Sequence, residues 1–242
     1  RPYRAGACVR MNEPAIPPAL DRRNIVASYS LLHCFRDICA HQGQARYIDK
    51  TIQFVETPQI KEGNEGHEAL DLRVGAKKPL PLKFDYCEPF AAAFDAKTVI
   101  TEGWYYIDEN GRACERFAKN KFGHGKLDLV LIEGDTAYLN DWKFGKSAYE
   151  DPFELEVGAV LLHAKYPHLK NIAGTYTWLK ERRVSQLYDL SDTQATWNEI
   201  CSIMKNILAW RAAGQFPKKQ SGLCGWCQRW DCDKNTNRER PK

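Results

Sequence analysis

The 242-residue chain has no apolar run close to the roughly 18 residues needed to cross a bilayer, which excludes a membrane-spanning helix. Its opening residues, RPYRAGACVRMNEP, lack the apolar core of a secretion signal, so a soluble protein of the cytoplasm is expected. Strong charge of one sign is missing too. A net charge of +4 permits phosphate binding without demanding it, because local basic patches count for more than the total. Two catalytic signatures are incomplete. His67 and Glu68 begin an HExxH zinc motif, but Asp71 stands where the second histidine is required; Gly145, Lys146 and Ser147 end like a P-loop, but Asn140 occupies the place of its first glycine.

What is present suits one compact α/β domain. A hydrophobic content of 43% over this length can fill a sizeable core. Pro2, Pro14, Pro17 and Pro18 make residues 1–24 an irregular arm, 25–215 form the α/β core, and 216–242 a cysteine-containing tail. From residue 26 to 48, Tyr29, Leu32, Phe35 and Cys39 recur at helical intervals. A helix over 59–74 follows Pro58 and carries His67 in its middle. A short helix is expected over 86–94 and a strand over 98–107 bearing Glu102. Arg116, Lys119, Lys121 and His124 follow as a basic approach suited to phosphates or to a solvated loop.

The stretch GKLDLVLIEGDTAYLNDWKFGK, residues 125–146, reads as a two-stranded hairpin turning at Gly134. Antiparallel pairing would bring Asp128 and Asp141 together at its open end, with Lys143 on the face of Asp141. Paired carboxylates in a half-buried sheet repel unless a cation neutralises them, and hard oxygen ligands suit Mg²⁺ or Mn²⁺. The same alternation also fits two solvent-facing acids partnered by a lysine. Beyond the hairpin, Asp151 and Pro152 start a helix with Glu154 in a capping-box position. Strands over 171–179 and 184–190 precede a helix over 193–213. Its stripe of Trp197, Ile200, Met204, Ile207 and Leu208 reads as core, and it ends at Gly214. Helices interleaved with strands point to a central mixed sheet flanked by helices.

Nine cysteines, an odd number without a secretion signal, favour metal or cluster ligation over disulfides. Cys224, Cys227 and Cys232, within LCGWCQRWDC, form a ligand set lacking one member. Either Cys39 or Cys34 could supply it, and spacing alone permits zinc as well as an iron–sulfur cluster. Cys8, Cys87, Cys114 and Cys201 read as core or surface thiols.

The order of these motifs resembles the PD-(D/E)XK nuclease superfamily, in particular its RecB-like and CRISPR-associated exonuclease branch with phage-type members. Asp128 within GKLDLV and Asp141 and Lys143 within DWKFGK match the nuclease motif; His67 on the upstream helix and Glu102 before the hairpin match further positions. The resemblance implies a restriction-endonuclease-like core and a metal held by His67, Asp128, Asp141 and the backbone carbonyl of Trp142. Glu102 would stand near it, and Lys143 would assist the attacking water. Glu154 stands where the branch usually has glutamine, which leaves it between a capping and an accessory role. The resemblance further implies a [4Fe-4S] cluster on Cys39, Cys224, Cys227 and Cys232, tying the tail to the N-terminal helix. The implied activity is metal-dependent hydrolysis of DNA, single-stranded or with free ends, in recombination, repair or phage DNA metabolism. Recombination or helicase proteins would be partners, and the location the host cytoplasm if phage-encoded. Two other readings stay open: a non-catalytic DNA-binding or assembly module that retains the fold, and a zinc-stabilised nucleic-acid processing factor.

Overall fold

A computed structural model describes residues 25–53, 55–147 and 150–236. The arm expected over 1–24, with Cys8, lies outside the described residues. The central sheet has the order β1 (Val99–Asp108), β2 (Lys121–Glu133), β3 (Thr136–Lys143), β4 (Asn171–Trp178) and β5 (Arg183–Val184), with β6 (Tyr188–Asp189) also pairing β4. The pairs β1–β2 and β2–β3 are antiparallel, β3–β4 is parallel, and both short strands run antiparallel to β4. A parallel pair needs a crossover. Helix α5 (Phe153–Lys165) supplies it, so the sheet is mixed and flanked by helices, as expected.

The long helix expected over 26–48 is broken. Helix α1 (Tyr29–His33) runs into a wider turn over Cys34–Ile38, and Cys39 breaks the path with an extended backbone at φ −169°. Helix α2 (Ala40–Gly43) then restarts the chain and ends in a second wide turn, Gln44–Ile48. Helix α3 (Pro58–Gly75) is capped by the Thr57 hydroxyl, which accepts the Ile60 N–H at 3.3 Å, with Pro58 in its first turn. A 3₁₀ turn at Leu82–Cys87 leads to α4 (Glu88–Ala92), and α6 (Thr193–Ala213) ends at Gly214 in the left-handed region. The single strand expected over 184–190 is instead the two short strands β5 and β6.

Two cores lie on opposite faces of the sheet. On one, α5, α6 and α1 pack with Val130, Ala137, Leu139 and Ile172; the α6 stripe is buried here as expected. On the other, α3 and α4 bury Leu70, Val74, Phe84 and Ala91 against Leu129 and Trp142. Gly158 lets α5 sit close to the sheet, because a Cβ there would meet Leu127 at 2.9 Å and Leu139 at 3.1 Å. Asp71, the residue that spoils the HExxH motif, accepts a hydrogen bond from the Thr101 hydroxyl and so docks α3 on β1.

Candidate active site

Regular pairing between β2 and β3 ends at Leu129 and Asn140, and beyond that point the strands part. The first part of β2 goes on pairing with β1, while Ala27 takes the place beside Gly123. Strand alternation fails at the fork. Leu127 faces α5, yet Leu129, two residues on, belongs to the opposite core. Asp128 stands at this switch. Its carboxylate accepts the Trp142 N–H at 2.8 Å, replacing a ladder bond with a side-chain one. On β1, Glu102 lies between the pairs Thr101–Leu129 and Gly103–Leu127, with φ at +50°. That conformation costs on the order of 1–3 kcal/mol for a residue with a side chain, and such strain gathers at functional sites.

These distortions aim three ligand atoms at one point. His67 Nδ1 lies 3.3 Å from Asp128 Oδ2 and 3.8 Å from Glu102 Oε1, and one ligand atom from each of the three residues falls within 4.8 Å of the others. His67 is brought there by close packing of α3. At Gly66 a Cβ would overlap the Phe144 ring at 2.1 Å, and that ring also sits 5.4 Å from the His67 ring. Burial disfavours the imidazolium, but the hydrogen bond and charge of Asp128, with Asp141 beyond, outweigh it and raise the His67 pKa. Lys126 pairs with the other oxygen of Glu102.

Asp141 stands outside this trio, paired with Lys143 at 2.8 Å, while Glu154 on α5 takes the same lysine at 2.5 Å. Glu154 therefore does not close a capping box; Asp151 accepts the Phe153 N–H at 3.1 Å instead. Burial, followed by the charge of Glu154, pushes the Asp141 carboxyl well above the usual range, against the opposing pull of Lys143. Burial works against the charge on Lys143, yet Asp141 and Glu154 together raise its pKa, and it stays cationic. Asp128, Asp141 and Glu154 line one cleft of about 320 Å³, closed by Tyr29 from α1 and edged by Trp104, His124 and Lys126. The sequence motifs do not single out Lys126 or Trp104. Their two-residue spacing from Asp128 and Glu102 is the signal that could have found them.

The cysteines meet at a second place. Cys39, Cys224, Cys227 and Cys232 line one cavity; Cys34, buried at the end of α1, does not. Burial pushes the Cys34 thiol up to about 11. The Lys219 N–H donates to Cys39 Sγ at 3.4 Å and the Ser221 N–H to Cys224 Sγ at 3.3 Å. Among the described residues, no three of these sulfurs come within 4.8 Å of one another. The Arg229 guanidinium donates to the His41 carbonyl and the Lys219 ammonium to the Asp37 carbonyl, which fastens the tail to the N-terminal helices.

No family model matches this sequence, and no curated protein does. Solved structures do. A candidate exonuclease from Eubacterium rectale shares 15% identity with a TM-score of 0.50, covering 88% of each chain. The protein SSO0001 shares 13% identity with a TM-score of 0.45, over 87% of this chain and 84% of its own. At such identity the first likeness speaks to the fold alone.

Proposed function

We propose that the protein is a metal-dependent deoxyribonuclease of the PD-(D/E)XK type, acting on single-stranded or end-exposed DNA. The observation that carries this reading is the convergence of His67, Glu102 and Asp128 on one point beside the Asp141–Lys143 pair, with Asp128 and Asp141 both lining one cleft. Two carboxylates and an imidazole form a donor set that fits Mg²⁺ or Mn²⁺, with Asp141 and the Trp142 carbonyl as further ligands by resemblance. A bound divalent ion supplies Lewis-acid polarisation of the phosphate and of the water that attacks it. Lys143, held cationic by Asp141 and Glu154, orients that water and offsets charge on the phosphate. Trp142 locks the Asp128 carboxylate through its N–H, so this oxygen holds its place before substrate arrives.

By resemblance, Cys39, Cys224, Cys227 and Cys232, which line one cavity, would hold a [4Fe-4S] cluster, with zinc as the alternative. Backbone N–H groups aimed at two of the sulfurs suit thiolate ligands of either kind. The role assigned to the cluster is structural.

End-labelled single- and double-stranded DNA, incubated with wild type and Lys143→Ala in Mg²⁺, in Mn²⁺ and in chelator, tests the reading. Cleavage that needs the metal and disappears in the variant is the expected result. Intact DNA under every metal, with folded and cluster-loaded protein, would favour the non-catalytic module.

A further inference from the structure

The register of β1 on β2 carries the site outward along one face of the sheet. Beyond Glu102 and Asp128, the next pair on that face is Trp104 opposite Lys126, and then Tyr106 opposite His124. The contacts agree with the register. Lys126 reaches Glu102, Trp104 lies parallel to Tyr106 at 6.1 Å and 9°, and His124 sits 5.8 Å from Trp104 and 6.4 Å from Tyr106. Lys121 places its ammonium 5.6 Å from the centre of the Tyr106 ring. Trp104 is 56% exposed, on a strand whose neighbours Tyr105 and Ile107 are buried. It edges the same cleft as Asp128 and Asp141.

A large exposed aromatic backed by a parallel ring needs a reason, because burying it would be favourable. We propose that Trp104, braced by Tyr106, is a stacking platform for an unpaired base of the DNA strand whose phosphate enters the cleft. Lys126 and Lys121 would follow the backbone. This rests on the nuclease reading and deepens it by naming the residue that would select an unpaired end. Successive same-face pairs are about 6.8 Å apart along a strand, a repeat that an extended single strand can follow base by base. A base inside a duplex is stacked on both faces and offers neither to Trp104, so an intact duplex, with an open face only at its terminal pairs, would gain little from it. Rings interleaved with lysines beside a phosphate-cleaving site are the usual components of sequence-tolerant single-strand binding.

The test is equilibrium binding by fluorescence anisotropy in chelator, where cleavage plays no part. The cluster-loaded protein is titrated into a labelled single-stranded oligonucleotide and into the same sequence as a blunt duplex. Trp104→Ala is expected to weaken single-strand binding roughly 5- to 150-fold while duplex binding changes less than about twofold, and Trp104→Phe should retain most of the affinity. With Mg²⁺ restored, Trp104→Ala should raise KM for single-stranded DNA far more than it lowers kcat. Unchanged single-strand affinity, or equal losses on both substrates, in a protein that still cleaves would overturn the platform and leave the nuclease standing. If wild type binds single strands through Trp104 but cleaves nothing, the platform stands and the nuclease reading falls. If it binds no DNA, both fall.

Discussion

Around Asp128 and Asp141 the functional groups are held by strands, a helix and ion pairs that tie directly into the two cores. Around Cys224, Cys227 and Cys232 the chain is held by single turns, such as Cys227 N–H to the Cys224 carbonyl at 3.3 Å and Cys232 N–H to the Arg229 carbonyl at 3.1 Å. Over residues 217–236 only Asn235 is buried, and its amide donates to the carbonyls of Cys227 and Arg229. The carboxylate fork is thus shaped by folding itself. The cysteine tail buries little apolar surface, so on the proposed reading the ligand of its sulfurs would contribute folding energy. On the proposed reading one set of ligands would serve chemistry, the other stability.

The sharpest way to break this contrast is to neutralise the fork. Asp141→Asn should lower cleavage by on the order of 10²–10³-fold, the scale of losing one preorganised electrostatic group. Stability should move far less. An acid whose pKa is raised in the folded state destabilises the fold as pH rises from its unfolded pKa through the folded one. The amide removes that penalty but also one of the two carboxylates that hold Lys143 charged, so in chelator at neutral pH the unfolding temperature should change little. A large drop in its unfolding temperature would show that the fork is a structural ion-pair network.

Cys227→Ser should do the reverse, costing about 2–5 kcal/mol, the scale of losing a covalent cross-link. Hydrogen exchange should show 217–236 opening, and visible cluster absorbance should vanish. A tail that stays protected without its ligand would abolish the distinction.

Two glycines of α3 sharpen it further. Gly66→Ala drives a methyl into Phe144, costing about 1–3 kcal/mol and displacing His67, so melting temperature and cleavage should fall together. A Cβ at Gly63 would meet nothing within 4 Å, and Gly63→Ala should stabilise by up to about 1 kcal/mol with activity unchanged. The smallest effect is expected from Glu154→Gln. Asp141 still neutralises Lys143, so cleavage should fall less than about tenfold, a barrier change under about 1.4 kcal/mol.

Much of the frame was readable because periodicity reports burial. The hairpin turning at Gly134, the α3 and α6 helices and the β1 strand match their apolar patterns to within a few residues. The break at Cys39 was hidden, since apolar spacing runs through it. The fork was hidden too, because strict alternation cannot show where a strand switches faces, and the switch at Asp128 decides which acids meet. Alternation put Asp128 beside Asp141, and both do line one cleft; what it could not show is that Asp128 also meets His67 and Glu102, while Asp141 pairs with Lys143, which Glu154 shares. Cys39 and Cys34 could be separated only by the tertiary path that brings one of them to the tail.

Glu102 has a consequence beyond the site. Among the described residues strand β1 is an edge of the sheet, and a long flat edge invites a second chain to add a strand of its own. The left-handed kink at Glu102 interrupts the outward row of N–H and carbonyl groups midway along that edge. The residue that brings a carboxylate to the fork therefore also makes β1 a poor template for aggregation.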